Sequence, residues 1–277
     1  MNKIRLIFSY YIIKDQLNND IYKYHLTCIN QHIGIFDYID FYLCIDDTND
    51  LETIEYVKQF ILGYFTNSHV DINFVVSQND SNYREGNIYY NQLILRLKEY
   101  ADNNELVLFT HTKGLTNYNL ENSINWICLI YYYCLYHFWY AKYCMTEPSI
   151  NKISYGPLYH YSLRNHSKYK WMYTGGVSWL NTRHFYDYVN ENNLELFNYS
   201  KESNILVAAE EYLPNMLDVN NVSFYEYEHY NLYNDIIKYE NGMLCYDKIV
   251  YFASLRMTVN SYYDFINYKH QIDNLIK

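Results

Sequence analysis

Apolar and polar positions along the chain fall into an alternation of short hydrophobic runs and longer stretches with helical spacing. Lys3–Tyr11 is apolar through Ile4, Leu6, Ile7 and Phe8 and reads as a first strand. Residues 15–33 are polar with scattered apolar positions and predict a helix. Phe36–Ile45 alternates and then becomes continuously apolar, which suits a second strand. Leu51–Phe65 places Ile54, Val57, Phe60, Ile61 and Tyr64 at helical spacing, and Val70–Val76 reads as a third strand. Tyr83–Ala101 begins in turn residues and becomes a helix with Leu93, Leu95, Leu97 and Tyr100. Residues 105–109 follow directly as a fourth strand, rich in Val, Leu and Phe and so buried on both faces. The order β-α-β-α-β-α-β predicts an α/β fold with parallel strands joined by helical crossovers.

Ile124 to Cys144 is apolar and aromatic and long enough to span a bilayer. It also carries Asn125, His137, Lys142 and several tyrosines, which are costly at mid-membrane. We read it as a core helix, with Trp126, Leu129, Tyr133, Phe138 and Tyr140 on faces buried against a sheet. A short strand around Ile153–Leu158 and a partly basic loop at 165–170 come next. Trp171–Asn181 combines a glycine pair with a strand-like tail, Thr182–Asn190 predicts a short helix, and Ile205–Leu217 another. The rest, 221–277, shows β-like pieces (Val222–Tyr227, Lys248–Phe252) and a polar terminal helix.

Composition narrows the reading. The 277 residues show no repeat, linker or evident boundary and are read as one domain. With 38 tyrosines, a single aromatic residue carries little information about a site. A net charge of −10 argues against bulk nucleic-acid binding, leaving only a local groove built from Arg164, Lys168, Lys170 and Arg183. Six cysteines without a C-x-x-C pair fit neither a zinc pattern nor a disulfide framework. They read as core thiols in a reducing compartment, and the N-terminus has no signal-peptide pattern, so a cytoplasmic location is expected. No G-x-G-x-x-G or P-loop occurs.

The candidate chemistry sits where the fourth strand stops. Thr110, His111, Thr112 and Lys113 supply hydroxyls, an imidazole and an ammonium, and Gly114 permits a sharp turn. In open α/β sheets ligands bind at the carboxyl ends of strands, and this set suits a phosphate or diphosphate. An ordinary polar turn accounts for the same residues, and composition alone does not separate the two readings. Asp46 and Asp47 end the second strand and read as an acidic turn.

Thr110-His-Thr-Lys-Gly114, preceded by Tyr83-Arg-Glu-Gly-Asn and a Leu-rich helix, resembles a glycosyltransferase-like group of polysaccharide synthesis that includes the rhamnan-synthesis type. Tyr173-Thr-Gly-Gly-Val-Ser-Trp-Leu-Asn181 is similar to the acceptor-side segment of GT-A enzymes, and Ala209-Glu-Glu-Tyr-Leu-Pro214 to their acidic helix start. The likeness covers about residues 80–215. It implies a GT-A (nucleotide-diphospho-sugar transferase) fold, a Rossmann-like mixed sheet flanked by helices. Residues 1–115 would form the nucleotide-sugar-binding half, 116–220 the acceptor-side half and 221–277 a C-terminal extension.

The resemblance implies a nucleotide-sugar-dependent transferase that moves a sugar to an acceptor hydroxyl. His111, Thr112 and Lys113 would bind the donor diphosphate, with Tyr10, Glu85 and Asn87 nearby. Glu210 or Glu211 would activate the acceptor; adjacent helix positions point about 100° apart, so only one faces the site. Gly175, Gly176 and Trp179 would shape the acceptor side. His-Thr-Lys stands where most GT-A enzymes carry Asp-x-Asp, which leaves a divalent metal (Mn or Mg) open, with His111 as a possible ligand. Two alternatives stay beside this one: a catalytically degenerate domain that binds glycans or partners, and a transferase acting on modified nucleic acid.

Overall fold

A computed structural model describes residues 2–66, 68–79, 93, 95–112, 120–157, 159–161, 171–173, 177–194, 196, 213, 216–224 and 259–276. The first strand, β1 (Lys3–Tyr11), is the middle of the parallel part of the sheet. It pairs with β2 (Tyr38–Ile45) on one side and β4 (Glu105–His111) on the other, both parallel, and β3 (Asp71–Gln78) continues beyond β2. The expected parallel run is thus present. β8 (Ser178–Asn181) joins β4 antiparallel, and with β5 (Ser154–Gly156) and β9 (Val222–Phe224) the described residues form a seven-stranded mixed sheet, β3-β2-β1-β4-β8-β5-β9. A separate antiparallel pair, β6 (Tyr159–Tyr161) and β7 (Trp171–Tyr173), has no counterpart in the sequence reading.

Alternation along β1 decides which side chain meets which layer. Ile4, Leu6, Phe8 and Tyr10 join a core with α1 (Asp20–Gln31), α2 (Leu51–Tyr64), α4 (Leu120–Tyr131), α5 (Phe138–Thr146) and α7 (Val259–Ile276). Ile7 points the other way, to a core shared with a helix over 95–102 (α3) and α6 (Thr182–Glu191). α1 starts at Asn19, whose side chain accepts the Ile21 N–H, and α2 at Asp50, which accepts from Thr53 N–H and hydroxyl. Asn104, left-handed at φ 54°, ends α3 and turns the chain into β4.

The aromatic segment is interrupted: α4 passes into a π-helical turn at Tyr132–Tyr136 before α5 begins. Trp126, Leu129, Tyr133 and Phe138 are buried as expected, whereas Tyr140 is 40% exposed and is not a core residue. Among the described residues no helix is long and apolar enough to cross a membrane. Cys28, Cys44, Cys128, Cys134 and Cys144 are buried thiols outside any disulfide. Beyond residue 221, β9 extends the sheet and α7 places Phe265, Tyr268 and Ile272 in the larger core.

At the end of α1, His32 stacks on Tyr268 at 5.8 Å, and its buried Nε2 has no hydrogen-bond partner. Burial lowers its pKa from 6.5 to about 4. The unfolded chain therefore binds the proton more readily between those values, and stability falls as pH drops from about 6.5 towards 4. Thermal melts across this window should show that decline. His32→Phe, which keeps a ring against Tyr268, should flatten part of it.

Candidate functional site

The chain leaves β1 towards β2 and β3 and returns on the opposite side of β1 as β4, so the order of parallel strands reverses between β1 and β4. In an open α/β sheet a crevice forms outside the carboxyl ends of the strands at such a point. Here those ends are Tyr10 and Tyr11 of β1 and Thr110, His111 and the following Thr112 of β4, with Ser9 in register with His111. β4 is buried at every residue, with the apolar run Leu106–Phe109 between Glu105 at one end and Thr110 and His111 at the other.

Each tip residue has a distinct job. Thr110 is fully buried, and its hydroxyl lies 3.1 Å from the Tyr131 hydroxyl, which in turn lies 2.8 Å from Nδ1 of buried His25. That chain ties β4 to α4 and α1. Thr112 accepts the Tyr11 N–H at 3.0 Å through Oγ1 and donates its own N–H to Ser9 at 3.1 Å. It clamps the ends of β1 and β4 together. His111 is 7% exposed, on the opposite side of the strand from Thr110. Tyr11 extends the rim: its hydroxyl accepts from Asn79 at 3.3 Å, and Asn79 also donates to Asp46 at 2.8 Å.

Two sequence assignments are corrected by these positions. Tyr10 is 1% exposed, stacked on Tyr22 at 4.9 Å, and burial pushes its hydroxyl well above the usual pKa. It belongs to the core between β1 and α1, and Tyr11 is the tyrosine at the rim. Trp179 is fully buried against Phe36 and Phe138, and its indole N–H donates to the Cys134 carbonyl at 2.9 Å. With its ring enclosed and its N–H satisfied it is a core anchor between β8 and the π-helical turn, not a platform for a sugar. Lys113, Glu85, Asn87, Gly175, Gly176, Glu210 and Glu211 lie outside the described residues. Of the residues considered for a basic groove only Arg183 is described, and it is paired with Asp102 and Asp187.

Sequence reasoning missed the connection between β1 and α1. A cleft of about 770 Å³ opens there, lined by Lys14, Asp15, Leu17, Asn19, Glu52 and Tyr56. It lies among the segments that follow β1 and β2, at the same end of the sheet as the β4 tip. Lys14 donates to Asp50 at 2.7 Å across its edge, and that hydrogen bond, with those from Thr53, lowers the Asp50 carboxyl to about 2. The only hint in the sequence is position, just after the first strand. Asp46 is exposed, and among the described residues no three His, Cys, Asp or Glu side chains converge as a metal site.

A buried ion cluster occupies the other end of the strands. Arg5 donates to Glu105 through Nε at 2.6 Å and to Asp40 through Nη1 at 2.7 Å. Its guanidinium lies between the rings of Tyr38 and Tyr100, at 4.4 and 4.9 Å. Burial alone would lower the Arg5 pKa, but the bond to Glu105 and the charge of Asp40 outweigh it and raise the pKa. A smaller cleft of about 410 Å³ opens over this cluster, beside Asp71, Asn73 and Arg96. Comparison of the chain with protein-family models, with curated proteins and with solved structures returns no match.

Proposed function

We propose that the chain is a glycosyltransferase that takes a sugar from a nucleoside-diphosphate donor and passes it to an acceptor hydroxyl, built on a GT-A type of fold. The observation that supports this most is the delivery of Thr110-His-Thr112 to the point where the strand order reverses, between the ends of β1 and β4. The α/β mixed sheet flanked by helices agrees with the architecture that the motif resemblance implies. The large cleft after β1 offers room for the rest of a nucleotide at the same end of the sheet.

In this reading the departing diphosphate collects negative charge, and fixed donors there accelerate the reaction because they are oriented before the charge develops. Lys113, one residue past Thr112, supplies the cation, and His111 donates to a phosphate oxygen. Thr112 holds the end of β4, which carries His111, against β1. Glu210 or Glu211 removes the proton of the acceptor hydroxyl as general base. Leaving-group stabilisation is assigned to Lys113 and His111, and a divalent ion held by His111 stays open beside them.

Thermal melts of the pure protein against a panel of nucleoside diphosphates and nucleotide sugars test this proposal. A ligand at about 100 times its dissociation constant adds about 2.7 kcal/mol, a shift of several degrees. At least one nucleoside diphosphate is expected to stabilise the protein more than its nucleoside does. No response to any diphosphate would count decisively against the proposal.

A further inference from the structure

We propose that the outer edge of β3 is a self-association surface on which a second copy of this chain adds its own β3, antiparallel, across a twofold axis. The inference goes beyond the proposed activity and does not depend on it. Among the described residues β3 is a terminal strand of the sheet, and it runs for eight residues, Asp71–Gln78. Asp71 and Asn79 donate their N–H groups inward to the carbonyls of Asp37 and Ile45. In a parallel ladder the direction alternates, so Ile72, Phe74, Val76 and Gln78 turn their N–H and C=O groups outward.

Proteins usually protect such an edge with lysine, proline or a bulge. Asp-Ile-Asn-Phe-Val-Val-Ser-Gln has no lysine or proline and one charge, Asp71, at its start. Val75 and Val76 are each 38% exposed, one on either face of the strand. A nearly uncharged edge of this length, apolar at its centre through Phe74, Val75 and Val76, is a template for another strand.

The sequence of β3 complements itself in one antiparallel register. With Val75 on the axis, Phe74 stands opposite Val76 of the second copy and Ile72 opposite Gln78, and each pair exchanges two hydrogen bonds through its outward groups. Residues directly opposite in an antiparallel pair share a face, and here the two exposed valines both find apolar partners: Val76 against Phe74, and Val75 against its own copy. Asp71 falls opposite Asn79, so no like charges meet, despite the chain's net charge of −10. A non-identical strand would need a matching pattern, whereas a second copy supplies it at equal concentration.

Sedimentation velocity of the full chain over about 1–100 μM tests the proposal, a range that covers the affinity of a modest specific contact. A concentration-dependent dimer is expected. Val75→Lys places two ammonium groups together on the axis. Val76→Pro removes an outward N–H without touching the bonds to β2. Each is expected to weaken dimerisation at least about tenfold, the equivalent of 1.4 kcal/mol. Circular-dichroism melts establish that a variant is folded, and Val75→Lys decides the matter if the proline variant does not fold. A monomer throughout the range, or a dimer that folded Val75→Lys leaves as tight as the parent, would overturn the proposal.

Discussion

Glu105→Ala is expected to destabilise the protein by about 3–5 kcal/mol, the largest stability loss anticipated for a single substitution here. The reason lies in what is left behind. Glu105 is fully buried at the start of β4 and accepts two bonds from the Arg5 guanidinium, at 2.6 and 3.2 Å. Arg5 is itself only 5% exposed. Without Glu105 it would retain its bond to Asp40 but lose the other two of its three side-chain hydrogen bonds while still buried. The aromatic rings of Tyr38 and Tyr100 on either side soften this loss without replacing a carboxylate. Urea unfolding should register the change as a lower midpoint at unchanged slope. Because the cluster lies at the amino end of the strands, about 20 Å along β4 from the proposed site, turnover per folded molecule should stay near that of the parent.

Lys113→Ala is expected to do the reverse: turnover falls by about 10²–10³ while the unfolding midpoint barely moves. Losing one preorganised donor from a developing anion has that order of effect in enzymes that rely on electrostatic stabilisation. The residue follows Thr112, whose hydroxyl and N–H fix the end of β4 against β1. Steady-state kinetics with the donor that stabilises the protein gives the reading. Loss concentrated in the rate constant, with substrate affinity little changed, is the pattern of a group that acts on the transition state. Unchanged turnover would remove Lys113 from the chemistry. The two substitutions lie at and just beyond opposite ends of one strand, and their contrast separates what holds the fold from what is proposed to act on a substrate.

Much of the sheet was legible because its strands announce themselves locally. β1, β2 and β4 are short apolar runs, and α1 and α2 carry helical spacing with polar caps at Asn19 and Asp50. The end of β4 was legible for the same reason, since its apolar run gives way to Thr110, His111 and Thr112; that all three are buried was not. The antiparallel strand β8 was legible as a strand, but its place next to β4 was not, since four residues at 178–181 say nothing about which strand some seventy positions earlier they join. Faces were harder still. Where helices cover both sides of a sheet, alternation does not tell core from crevice, and this is why Tyr10 and Trp179 were misplaced. The Arg5 cluster joins residues 35 and 100 positions apart, brought together by the registers of β1 with β2 and β4. No local pattern could have signalled it.

The claim on which the rest depends is that a diphosphate binds where β1 and β4 end. A crystal of the protein grown with the stabilising nucleoside diphosphate, with and without manganese, measures this directly. The account predicts phosphate oxygens at about 3 Å from Lys113 and from His111 or Thr112, in both crystals. A diphosphate seated elsewhere, such as over Arg5 and Arg96 at the amino end of the strands, would contradict it.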